Sequence, residues 1–206
     1  MLNKFKISGK IFSVSLLLGF LCAVFLSFTD FNATCEDIRH NVLRLHIIAN
    51  SDSNADQSLK LKIRDGILEN SGDLFNGVTD LEIATQIANE ELKTFENIAN
   101  EIIEAEGFEY KAKVSIGTRW FETRVYDDFT LPAGEYVSLI VDLGKAEGKN
   151  WWCVIFPEIC LPGATDTHLS DTVGESGAEV AYNPNRYIMR FKTVEIYEKI
   201  KNLFRN

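Results

Sequence analysis

The sequence predicts a single α+β domain, a mainly antiparallel sheet packed with two central helices and a C-terminal helix. Apolar side chains recur at helical spacing behind Ser53 and again behind Thr79, the period changes to strict alternation from Tyr110, and a helical stripe returns near the end of the chain. With 206 residues there is room for one well-buried domain but not comfortably for two.

The first element is an export segment. Lys4, Lys6 and Lys10 precede an uncharged run from Ile11 to Phe28, "IFSVSLLLGFLCAVFLSF". This run exceeds the usual signal-peptide core of about 7–15 residues and just reaches the roughly 17–25 needed to span a bilayer. Ser27 and Thr29 copy the small-residue cleavage pattern poorly, so residues 1–29 read as either a signal peptide or a signal anchor. A tether over residues 30–41 and an exported domain over 42–206 are expected to follow. All 30 acidic residues lie beyond the apolar run, which makes the exported part more acidic than the whole chain at −9. Such a surface excludes nucleic acid and disfavours anionic lipid, leaving membrane contact only through residues 11–28 if they are uncleaved.

"VLRLHIIA" at 42–49 alternates and reads as a half-buried strand, with Arg44 and His46 on the side opposite Leu43, Leu45 and Ile47. Ser53 with Asp56 is an N-cap pattern, since a hydroxyl can accept from an orphan amide and a carboxylate favours the positive helix end. A helix to about Glu69 follows, with Leu59, Ile63 and Ile67 as its apolar stripe and Lys60, Lys62 and Arg64 elsewhere around it. Thr79 with Glu82 is a capping box for one long helix ending at Gly107. Tyr110 to Ile116, Val137 to Leu143 and "WWCVIF" read as strands, the last two as antiparallel neighbours joined through Gly144 and Gly148. Residues 161–189 lack a period and read as a long surface loop, and Phe191, Val194, Tyr197, Ile200 and Phe204 mark the final helix.

Few residues offer chemistry. Asp52, Asn54 and Asp56 open like a calcium loop, but Gln57 stands where the loop needs glycine and Ile63 where it needs glutamate; a helix cap explains them better. No zinc spacing exists, and neither a metal nor a cofactor is expected. Cys153 with His46 is the one plausible thiol–base pair, which would make the chain a thiol-dependent hydrolase or cell-wall enzyme. Of the exported cysteines Cys35, Cys153 and Cys160, at most two can pair. Pro157 could turn the chain to bring Cys153 and Cys160 within bridging distance, roughly 4.4–6.8 Å between α-carbons. Two separately buried thiols are the alternative. Adjacent Trp151 and Trp152 must point to opposite faces of their strand.

Two stretches, "LRLHIIANSDSNADQSLKLKIRDGIL" at 43–68 and "LPAGEYVSLIVDLGKAEGKNWWCVIFPEIC" at 131–160, together resemble the stage II sporulation protein R family of endospore-forming bacteria; "RFKTVEIYEKI" at 190–200 and the export segment fit as well. The resemblance implies a signalling protein and not an enzyme. It implies a product of the forespore, exported into the space between the two sporangial membranes. There it would activate a membrane-bound aspartic protease, stage II sporulation protein GA, which processes the precursor of sigma factor E. The expected contact surface is Asn50, Ser51, Asp52, Asp56, Gln57, Lys60 and Arg64 at the strand-to-helix corner, with Asn150, Trp151 and Trp152, because the corner is more polar than a plain cap requires.

Overall fold

The computed structural model describes residues 2–71, 74–126, 129–157 and 167–204. Its first helix, α1 (Leu2–His40), is unbroken and, at 1.5 Å per residue, about 58 Å long. Two different environments divide it. Ile11 through Leu26 are exposed and apolar, whereas Phe31, Cys35 and Ile38 are buried in the domain. Among the described residues, α1 is the one helix long and apolar enough to cross a membrane. Residues 30–40, expected as a tether, instead continue the helix. Phe31, Cys35 and Ile38 recur at i, i+4 and i+7, which gives this stretch one apolar face to dock.

A four-stranded mixed sheet forms the centre, in the order β2 (Ala112–Phe121), β5 (Gly134–Leu143), β1 (Leu43–Ile48), β6 (Asn150–Phe156). β1 runs parallel to β5 and antiparallel to β6, and β2 runs antiparallel to β5. The sheet is therefore mainly antiparallel, and the fold is α+β. β5 and β6 are not neighbours as their short connection suggests, because β1 lies between them. A second, two-stranded sheet pairs β3 (Arg124–Val125) with β4 (Thr130–Leu131).

Both faces of the main sheet are covered. On one, Leu43, Leu45 and Ile47 with Leu139, Val141 and Leu143 meet Leu59, Ile63 and Ile67 of α2 (Asn54–Ser71), Ala84 and Ala88 of α3 (Leu81–Glu90), and Phe95, Ala99 and Ile103 of α4 (Leu92–Ala105). On the other, Tyr136, Val154 and Phe121 meet the C-terminal half of α1, α5 (Thr167–Tyr182) and Phe191 and Val194 of α6 (Pro184–Leu203). β1 is accordingly buried on both faces, not half-buried.

The single long helix expected behind Thr79 is two. Glu91, at φ −92° and ψ 4°, closes α3 and opens α4, and the cap is Asp80, whose carboxylate accepts from the Glu82 and Ile83 amides. Within the expected loop at 161–189, the described part from Thr167 is helical, with Gly174 at φ 71° interrupting α5. Of the final apolar stripe, Phe191 and Val194 are buried while Ile200 and Phe204 remain exposed.

Candidate functional site

The turn from β1 into α2 is built as expected. Ser53 Oγ accepts from the Asp56 amide at 3.1 Å, the N-cap bond. The buried Asp56 carboxylate accepts from Tyr110 Oη at 2.6 Å, from Asn50 Nδ2 at 3.1 Å and, in a short contact, from Ser51 Oγ. Burial pushes this carboxyl's pKa up. The hydrogen bonds from Ser51, Tyr110, Asn50 and Ser53 outweigh that and leave it below its ordinary value.

Other corner residues clasp the connection between β5 and β6. Asn50 Oδ1 accepts from the Lys145 amide at 3.0 Å, and Asp52 Oδ1 from the Lys149 amide at 2.7 Å. Gln57 Nε2 donates to the Ser51 carbonyl at 2.8 Å, and Lys60 Nζ donates to Gln57 Oε1 at 2.6 Å and to the Lys149 carbonyl at 2.9 Å. Lys60, read from sequence as lying off the core stripe, is thus buried, and burial lowers its pKa against the opposing pull of Asp52. Asn50, Ser51, Asp52, Asp56, Gln57 and Lys60 form one polar network whose evident structural effect is to fix the corner.

Gly148 lies where this network is tightest, its amide donating to the Ala49 carbonyl at 2.8 Å. A Cβ there would run into the Ser51 carbonyl, which is backbone and has little freedom to move. Gly148→Ala is expected to lower stability by about 1–3 kcal/mol, the usual range for overpacking. A shift in the urea midpoint without a change in slope is the result that checks it.

The remaining predicted contact residues divide between two faces. Asn150 is exposed at the start of β6, and Trp151, paired with Ile47, lies on the α2 side under the Arg64 guanidinium at 4.6 Å. Trp152 pairs with His46 on the opposite face, its ring 6.1 Å from the imidazole. The corner therefore gathers every predicted contact residue except Asn150 and Trp152, which alternation along β6 places on the His46 face.

The same register decides the thiol–base pair. Cys153 pairs with Leu45 and points into the α2–α4 core, while His46 is one residue along and points to the other face. Direct proton transfer between them is closed off by the sheet. Burial pushes the His46 pKa down, with Asn150 opposing and Arg119 reinforcing; Asn150 lies close without forming a hydrogen bond to either ring nitrogen. Cys160, the expected bridge partner of Cys153, lies outside the described residues.

Sequence reasoning missed a second constellation on the His46 face. Arg44 is fully buried, its guanidinium 4.0 Å from the Phe121 ring centroid and 5.0 Å from that of Tyr136. Its Nη2 donates to Tyr126 Oη at 2.6 Å. The signal was a charged residue at the centre of an apolar strand, which passes for the solvent side of a half-buried strand when only the alternation is read.

No solved structure matches the chain. The sequence profile of stage II sporulation protein R matches residues 39–166, which takes in the sheet, the corner and α2 to α4. Stage II sporulation protein R of Bacillus subtilis (strain 168) is 37% identical over 124 residues, a match that covers 60% of this chain and 55% of that protein. The chain thus spans little more than half the length of that relative. α5, α6 and most of α1 fall outside the matched residues, whereas Arg44, Asp56, Phe121 and Trp151 fall within them. The strand-to-helix corner and the sheet that carries it lie within the residues that match the family, and the chain belongs to the stage II sporulation protein R family.

Proposed function

We propose that this sporulation protein is an exported signal that activates a membrane-embedded aspartic protease, stage II sporulation protein GA, which processes the precursor of sigma factor E. Family membership carries the reading. Two structural features support it: an apolar helix suited to export or anchoring leads directly into a folded domain, and the one candidate thiol–base pair is split across a sheet. The protein is made in the forespore and acts in the space between the two membranes, held there by α1 if that helix is retained.

An activator of this kind shifts the protease toward its active, dimeric arrangement only by binding that arrangement more tightly than the inactive one. The corner with Arg64 and Trp151 is the surface assigned to this contact, with Asn150 exposed at the adjoining start of β6. Its internal bonds hold it rigid, so little ordering entropy is lost on binding. Arg64 stacked on a half-buried tryptophan is also the type of side-chain pair that dominates interface energies.

The test is precursor cleavage in cells that contain the protease and the sigma-factor precursor, with and without this chain. Cleavage is expected to require the chain and to survive Cys153→Ser/Cys160→Ser, with reduced protein levels at most. Cleavage that proceeds equally without the chain, while folded and exported protein is otherwise present, removes the signalling reading. Loss of activity in the folded double variant moves the thiol enzyme to the front.

Arg64→Glu is the sharper probe of the surface. Among the described residues Arg64 bonds to its neighbour Asp65, at 2.7 Å, and covers the Trp151 ring, and it takes no part in the corner network, so reversing its charge leaves that network intact. Cleavage is expected to fall at least tenfold with the unfolding free energy moved by less than about 1 kcal/mol. Unchanged cleavage by the folded variant removes this face from the contact.

A further inference from the structure

Arg44, Trp120, Phe121, Glu122, Thr123, Arg124 and Trp152 line a cavity of about 280 Å³ between the end of β2, the start of β3 and β6. Its floor is a buried cation without a counter-ion. Arg44 is 0% exposed, and among the described residues no carboxylate pairs with it. Of its five N–H donors, one is taken by Tyr126 Oη, while Nε and Nη1 have no partner. Burial raises the Tyr126 pKa, so the phenol is neutral and offers no charge. The Phe121 and Tyr136 rings attract the guanidinium through their π faces, yet that recovers only part of the hydration lost by a buried charge.

Two further buried polar atoms on the same walls have no partner. These are Trp120 Nε1, a donor, and Thr123 Oγ1, a donor or acceptor. Arg124 is exposed at the rim, its guanidinium 5.0 Å from the Trp152 ring. A positive floor, unused donors and aromatic walls together select an anionic acceptor attached to an apolar body.

We infer that the Arg44 cavity is a binding site for a carboxylate carried on an apolar group, supplied by a peptide either as its chain end or as an acidic side chain beside an apolar one. A carboxylate fits better than a phosphate. The aromatic walls cover an apolar body that a bare phosphate lacks, and the rim is no strongly cationic anion trap, since exposed Arg124 is accompanied there by Glu122. Binding gives Nε and Nη1 their missing acceptor and covers the apolar walls.

The test uses the full chain in detergent, labelled with fluorotryptophan and followed by fluorine NMR; the three tryptophans give three signals. Acetyl-phenylalanine is expected to move the Trp120 and Trp152 signals saturably and to leave Trp151, on the opposite face, in place. Its amide, which lacks the charge, is expected to bind at least tenfold more weakly, and inorganic phosphate to bind no better than the amide. Comparison with acetyl-leucyl-glutamate amide identifies the source: tighter binding of acetyl-phenylalanine indicates a chain end, and the reverse order an acidic side chain.

Arg44→Gln is expected to abolish the saturable shift. Because that residue lies in the core, Arg124→Gln at the exposed rim is the second variant, expected to weaken binding about threefold with the unfolding midpoint unchanged. Equal binding of acid and amide, tighter binding of phosphate, movement of all three signals together, or no saturable shift would each overturn the carboxylate site. Binding is read on this chain alone, so its failure leaves protease activation untouched, and failure of protease activation leaves the cavity untouched.

Discussion

A chain that begins at Val42 is expected to lose at least about 5 kcal/mol relative to one that begins at Asp30, a large part of the roughly 5–15 kcal/mol that holds a typical domain together. The difference is the last turns of α1. Phe31 and Ile38 are almost fully buried against α5 and α6, and each such side chain contributes about 1.5–3 kcal/mol. Arg39, 5% exposed, donates to the Ala133 carbonyl at 2.9 Å and to Glu198 at 3.4 Å. Removing it leaves the buried Glu198, among the described residues, with the longer contact to Lys201 at 3.6 Å, and breaking a buried pair one-sidedly costs about 3–5 kcal/mol. Urea unfolding followed by tryptophan fluorescence checks the expectation: the longer chain unfolds in one transition, and the shorter one is expanded or open to protease without denaturant. Equal midpoints would show that α1 is dispensable to the fold. The functional consequence is a limit on processing. A peptidase that cuts before Phe31 releases an intact domain, whereas a cut beyond Ile38 releases one without part of its second core.

The parts of the fold that were legible in the sequence are those where one periodicity has one explanation. Leu59, Ile63 and Ile67 mark the buried stripe of α2, Ser53 caps it, and the alternation around Val137 to Leu143 marks β5. Where a pattern has two explanations, the sequence alone could not choose. Alternation around Arg44 and His46 fits a strand with one wet face, and it fits equally a central strand whose second face meets aromatic rings. The short connection from Leu143 to Asn150 suggests a hairpin, yet β1 lies between the two strands, because pairing is decided by partners distant in sequence. Helical spacing continues across Glu91 without a break, so the division of α3 from α4 left no trace in the pattern. At the corner, polarity was legible but its use was not. The same Asn50, Asp52 and Gln57 side chains suit a partner or a polar clasp, and only the positions of Lys145 and Lys149 show the clasp.

Asp56→Ala is expected to destabilise the domain by about 3 kcal/mol. The substitution leaves Ser51 Oγ, Asn50 Nδ2 and Tyr110 Oη without their shared acceptor, each worth about 1 kcal/mol or more when stranded away from water. The pH dependence separates this from a simple loss of packing. The folded-state pKa of Asp56 lies below its ordinary value of 3.8, so the unfolded chain takes up the proton first as pH falls. Its contribution is fully present above that value and disappears as pH drops through the lower folded value. Unfolding free energies measured from pH 6 to pH 2 are expected to fall more steeply for the native chain than for Asp56→Asn, with the difference confined to the region below about pH 4. Parallel curves would mean that the carboxylate is not held ionised by the corner. Because Asn50 and Ser51 also fix the connection that carries Asn150 and leads to Trp151, a corner loosened by Asp56→Ala should also weaken precursor cleavage. Lowering the temperature enough to restore the folded population should recover part of that cleavage, whereas the defect of Arg64→Glu, which alters the binding surface of a chain already folded, should persist.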